Sequence, residues 1–260
     1  MTYDSVDKVG NEVRARLVGR RMVADSERLL LGDQVVQDRS FAEHKWVQLA
    51  IWGSTVDRCS FDEQRVEAAQ IGGGPNRTII RDCTFNGSQW GSTSLGKVRF
   101  ERCSFLRFRA NAWLARRVDL VQCTFSGQLR DAVFWASDPQ DPGGDGSFGK
   151  NEIARNDFSA CDLVGPAFRG GIDLIDQRMP IAPHYLLVVD ARAAVARAYA
   201  DVVTWKDLEW RRKALNALKT MRSDIDTGQL SLLLDKRLRA HWPIGLLNAF
   251  FGLFDRVSDS

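Results

Sequence analysis

Every fifth residue of a long central stretch is apolar, and that interval excludes most folds. Counting from Phe85 gives Phe85, Trp90, Leu95, Phe100, Phe105, Ala110, Ala115, Leu120 and Phe125. Two residues before each runs a second series, small or apolar throughout: Cys83, Ser88, Thr93, Val98, Cys103, Phe108, Trp113, Val118 and Cys123. Backwards from Phe61 the count gives Val56, Ile51, Trp46, Phe41 and Val36, and forwards it gives Val66 and Ile71. The phase then slips by four residues across Gly72-Gly73-Gly74-Pro75 and resumes at Ile80. An α-helix repeats at 3.6 and a half-buried strand at 2, so neither keeps such a series on one face. A chain that turns a corner every five residues does, with one residue per side pointing inward. Four sides close a square coil of about 20 residues, and coils about 4.8 Å apart pair as neighbouring strands do. One coil cannot bury its own interior, so coils stack and the core becomes a continuous column.

The tripeptide Cys-Ser/Thr-Phe marks one side of that square, at Cys59, Cys83, Cys103 and Cys123. Thiols one strand spacing apart fall inside the Cα range of a disulfide, but their side chains point in parallel. A linear file also cannot surround a zinc ion tetrahedrally. The expectation is a file of reduced packing residues, with Cys161 in the equivalent small position before Leu163.

The segment "NDFSACDLVGPAF" carries Phe158, Leu163 and Phe168 five apart, with Asp157 and Asp162 preceding the first two. Together with the series above it resembles the pentapeptide-repeat family, whose unit has a central Leu or Phe, a small residue two before it, and often Asp or Asn just before it. The likeness covers roughly residues 36–175. It implies a mainly β solenoid, a right-handed quadrilateral parallel β-helix, here of about six coils. The chain departs from the family pattern where Phe108 and Trp113 occupy small positions. The core expected on this reading includes Phe61, Cys83, Phe85, Trp90, Leu95, Phe100, Cys103, Phe105, Leu120, Cys123, Phe125, Phe158, Leu163 and Phe168.

Open solenoid ends invite strand pairing and need caps. Residues 1–35 are assigned to an N-terminal cap, with Val13, Leu17 and Val18 at helical spacing. The β-helix takes 36–175, with insertions near 72–76 and at the Pro/Gly/Asp-rich 137–151. Residues 185–260 read as a C-terminal α-helical module. In it Thr204 is a plausible N-cap before Leu208, Leu215 and Leu218, a second helix runs through Leu230, Leu233, Leu234 and Leu238, and Pro243 opens an apolar third.

No catalytic constellation emerges. His44, His184 and His241 are scattered, without metal-ligand or nucleophile spacing. "GGGPN" lacks the Gly-Lys-Ser/Thr ending of a phosphate loop. Asp138, Asp141 and Asp145 do not follow EF-hand spacing, so an exposed loop is preferred to a calcium site. We expect no enzyme, cofactor or metal. The first residues show no basic-then-apolar leader, no apolar run reaches membrane-spanning length, and the cysteine usage suits the cytoplasm.

Charge is uneven although the net is only +3. Lys97, Arg99, Arg102, Arg107, Arg109, Arg116 and Arg117 cluster against Glu101 alone. These arginines, together with Asp138, Asp141, Asp145 and Phe148 of the long loop, are the candidate partner contacts, because clustered charge steers association and binding concentrates in loops. A solenoid without a pocket presents area, so a non-catalytic protein–protein interaction protein is expected. The unknown protein partner falls among three kinds: a toxin held by an immunity or antitoxin protein, a topoisomerase, or an effector partner. The family resemblance implies gyrase protection by DNA mimicry and dimerisation through C-terminal helices, but the basic middle disfavours mimicry. No direct nucleic-acid contact is expected. The apolar stretch 243–254, with the basic residues before it, also suits a peripheral membrane contact.

Overall fold

The structure, a computed structural model, describes residues 22–24, 27–137 and 150–255. The N-terminal spacing of Val13, Leu17 and Val18 lies outside the described residues. The rest forms a parallel β-solenoid of about five coils, followed by a region with helices.

Backbone pairing follows the sequence interval. Val35 pairs with Thr55, Trp46 with Val66 and Val98 with Val118, each 20 residues on; the glycine-rich insertion makes the Val66–Trp90 step 24. The inward residues therefore stack in four columns. The first side holds Val36, Val56, Ile80, Phe100, Leu120 and Ile153; the second holds Phe41, Phe61, Phe85, Phe105, Phe125 and Phe158. The third holds Trp46, Val66, Trp90, Ala110, Leu129 and Leu163; the fourth holds Leu31, Ile51, Ile71, Leu95, Ala115, Phe134 and Phe168. On the second side the rings stack nearly parallel at 5.1, 5.0, 4.8, 4.7 and 4.8 Å between centroids. The coil spacing thus sets one ring on the next, an offset stack that adds to area burial.

Phe108 and Trp113 explain themselves by volume. Both are buried, and the inward residue that follows each is alanine, Ala110 or Ala115. Large and small residues have exchanged places, which keeps the column filled. The five-residue count also lapses near Arg130, and the pairing shows how. Phe105 pairs with Phe125, but Phe108 pairs with Gly127, so one residue is lost and Leu129 fills the interior. Gly127 has φ +95°, and a Cβ there would meet the Phe108 carbonyl oxygen at 2.3 Å, so only glycine fits.

The thiols of Cys59, Cys83, Cys103 and Cys123 are free and buried, each Sγ donating to the carbonyl two residues back at 3.2–3.5 Å. Cys161 belongs elsewhere, to the third side, where it pairs with Gly127. Asn156 continues the cysteine file instead, its Oδ1 accepting from the Cys123 amide at 2.9 Å.

Both ends of the stack are covered. At the start, Met22–Ala24 pairs antiparallel with Arg28–Gly32, the first strand of the parallel stack. At the far end, Tyr185–Val188 pairs antiparallel with Leu232–Asp235. Between and after them lie α1 (Ala191–Val202), α2 (Leu208–Asp226) and α3 (Ile244–Asp255). The expected helix through Leu230–Leu238 is a strand followed by a 3-10 turn, Lys236–Arg239. Its leucines at 232–234 are buried in succession, as in a strand covered on both faces. The N-cap of α2 is Asp207, not Thr204: its carboxylate accepts from the Trp210 amide at 2.9 Å. Phe250, Phe251 and Phe254 of α3 are buried in a core shared with α1 and α2, and Leu246 is buried as well. No helix of the described residues is long and apolar enough to cross a membrane.

Arg237 fastens this region to the last coil. Its guanidinium donates to Asp162 at 2.6 Å, Asp235 at 2.9 Å, the Leu163 carbonyl at 3.0 Å and the Tyr185 hydroxyl at 2.9 Å. Gln229 adds a second clamp, accepting from the Gly171 and Ile172 amides and donating to the Ile172 carbonyl at 2.7 Å.

Candidate functional site: a cationic groove on the third side

An outward residue of a solenoid repeats at each coil, so charges on one side form columns. On the first side those columns are neutralised. At the corner that follows it, Asp38, Arg58, Asp82 and Arg102 alternate in sign, all with left-handed backbones. Arg58 grips both oxygens of Asp38 at 2.7 and 2.8 Å, and Arg102 grips both of Asp82 at 2.7 Å. Buried Asp57 receives Arg58 and Arg81, and buried Asp119 receives Arg77 at 2.5 Å and Arg99 at 3.1 Å. Arg99 also reaches Glu101 at 3.1 Å and Glu152 at 2.7 Å. Hydrogen bonds from Arg58, Arg102 and Arg99 hold the carboxyls of Asp38, Asp82 and Glu101, respectively, below the usual carboxylate range.

The third side is built differently. On the last coil Asp162, held by Arg237 at 2.6 Å, stands one residue before the inward Leu163; on the coils before it that position is taken by Lys45, Arg65, Gln89, Arg109 and Gln128, paired coil to coil in that order. With Glu67, Asn111 and Arg130 they line an open groove of about 690 Å³ that crosses five coils. Gly91 leaves its middle bare: a Cβ there would lie 2.6 Å from the Glu67 carbonyl oxygen. Lys45, Arg65, Arg109 and Arg130 are exposed and have no ion pair among the described residues. Lys45 and Arg65 sit directly opposite each other, an arrangement that destabilises a strand pair.

The basic cluster predicted from sequence therefore divides. Arg99 and Arg102 are engaged in the neutral ladder, and Arg107 pairs with Glu63 at 2.8 Å. Arg109 lines the groove. Arg116 and Arg117 lie elsewhere, at the turn onto the first side. Asp138, Asp141, Asp145 and Phe148 lie outside the described residues. Sequence reasoning missed Lys45, Arg65 and Arg130, although folding the chain at its coil interval would have placed Lys45, Arg65 and Arg109 in one column.

The other groups offer less. Burial pushes the Cys103 thiol well above its usual range and that of Cys161 up to about 12, so neither is a ready nucleophile. Among the described residues no cluster of three or more His, Cys, Asp or Glu is placed to hold a metal ion. A second, shallower hollow of about 380 Å³ lies between α2 and the Leu238–Trp242 segment, where Arg239 stacks over Trp242 and Phe250 at 5.4 and 5.6 Å. No protein-family model matches the chain, and no curated protein matches it.

Proposed function

We propose that the chain is a non-catalytic protein–protein interaction protein on a pentapeptide-repeat scaffold, docking its partner along the third side. One observation carries the reading: the groove keeps four cations unpaired where the first side pairs its own. Unmatched charge across several coils offers steering and complementarity to a partner. The five-residue period, kept in four columns, supports the family assignment, and the buried free thiols support a cytoplasmic setting.

An immunity or antitoxin protein is a special case of this reading, with a toxin as the partner. DNA mimicry in the service of topoisomerase protection is disfavoured, since the unmatched charge is positive. Membrane contact through α3 is disfavoured because the helix buries its phenylalanines in its own module.

The test is photo-crosslinking in cells, with a crosslinker at Val47 or Asn111 in the groove and at Arg81 on the first side. Discrete adducts from the groove positions alone support docking there. Adducts from Arg81 alone, or from no position, sink it.

A further inference from the structure

We infer that the occupant of the groove is an extended acidic segment of a partner protein, laid along the solenoid axis. This rests on the third side being the docking side. Four coil spacings of about 4.8 Å carry the groove across about 19 Å, the length of about six extended residues. In an extended segment, alternate side chains face the same way about 6.6 Å apart. Three carboxylates on that face therefore span a distance comparable with Lys45, Arg65 and Arg109, which occupy the first, second and fourth coils of the groove. Long, exposed side chains adjust for the remaining mismatch, and charge-assisted pairs to carboxylates are the strong ones.

The same side chains argue against a nucleic acid. Glu67 stands exposed and unpaired in the groove, where a peptide can set an uncharged residue and donate a backbone N–H, whereas a nucleic acid carries a charged phosphate at every step. Gln89, between two cations, both donates and accepts, as a peptide backbone requires. Single-stranded nucleic acids need aromatic faces on which bases stack. Trp46 and Trp90, the aromatic residues lining the groove, are 5% and 2% exposed, turned into the core column.

Fluorescence anisotropy with the full chain tests the inference, using three labelled probes: a twelve-residue alternating Glu-Ser peptide, its Gln-Ser counterpart, and a twelve-base oligo(dT). The Glu-Ser peptide should bind at least tenfold tighter than the other two, and the R65E/R109E double variant should weaken it at least tenfold. A K206E/K219E variant, with the same charge change on exposed positions of the helical module, should stay within twofold. R65Q/R109Q serves where charge reversal impairs folding, as judged by thermal melting. Equal or tighter oligo(dT) binding overturns the acidic-peptide assignment, and so does equal weakening by K206E/K219E. If groove crosslinks form but the Glu-Ser peptide does not bind, only the occupant is wrong. If groove crosslinks fail, the docking side itself is wrong.

Discussion

The first and third sides of the solenoid share one backbone and one core, yet treat surface charge in opposite ways. On the first side and its corner, six carboxylates (Asp38, Asp57, Asp82, Glu101, Asp119, Glu152) interlock with five arginines (Arg58, Arg77, Arg81, Arg99, Arg102). On the third, Lys45 faces Arg65 with no carboxylate between them. The alternation Asp38, Arg58, Asp82, Arg102 shows that this repeat neutralises a column by changing sign at each coil. Where it does not, stability alone gives no reason for the choice, and the unmatched charge is free for a partner.

Six substitutions probe that contrast. The largest should not distinguish the sides: Phe105→Ala removes a ring stacked against both Phe85 and Phe125 and should cost about 3–5 kcal/mol in urea unfolding. A smaller loss would mean that the stack collapses around the gap. Next, Asp57→Ala strips a buried carboxylate from Arg58 and Arg81 and should cost about 1–3 kcal/mol, less than a fully buried pair because both arginines are half exposed. Glu67→Ala, in the groove, should stay within about 0.5 kcal/mol. Equal costs would erase the contrast.

Acid should act on the first side and its corner more than on the groove cations. The depressed carboxyls of Asp38, Asp82 and Glu101 contribute stability that is fully present above their ordinary range near pH 4 and is lost as pH falls through their lower folded values. Melting temperatures followed from pH 5 downward should fall less steeply in Arg102→Gln, which lacks the partner of Asp82, whereas Arg109→Gln should track the parent chain. The smallest effect has the opposite sign. Arg65→Gln relieves the contact with Lys45 and should leave stability unchanged or raise it by about 0.2–0.5 kcal/mol. A clear loss in urea unfolding would mean that Arg65 has a structural partner after all.

Much of the fold was legible because a five-residue interval fits so few backbones. Phe85, Phe105 and Phe125 could be assigned to one column from spacing alone. The lapse near Arg130 was visible in the count, but not its place, since a glycine in a loop-like stretch does not announce that Leu129 replaces Arg130 in the interior. Leu232–Leu234 were read as helical because leucine favours helices; pairing with Tyr185–Val188, some 45 residues earlier, decided otherwise. The site was harder. Arg99, Arg102 and Arg109 look alike in sequence, and only the coil register reveals that the first two meet Asp82, Asp119, Glu101 and Glu152 while the third meets Gln89 and Gln128. A charge cluster counted along the chain is a poor guide to one counted across coils.

The Arg237 clamp has a consequence for how the molecule comes apart. In a stack where each coil touches only its neighbours, unfolding proceeds from an end inward, and the weaker end goes first. Arg237 and Gln229 tie the last coil to the helical module, while among the described residues the first coil is closed by the short strand Met22–Ala24. Unravelling is therefore directional: backbone amides should exchange with solvent earliest around Arg28–Gly32 and latest near the end where the helices dock.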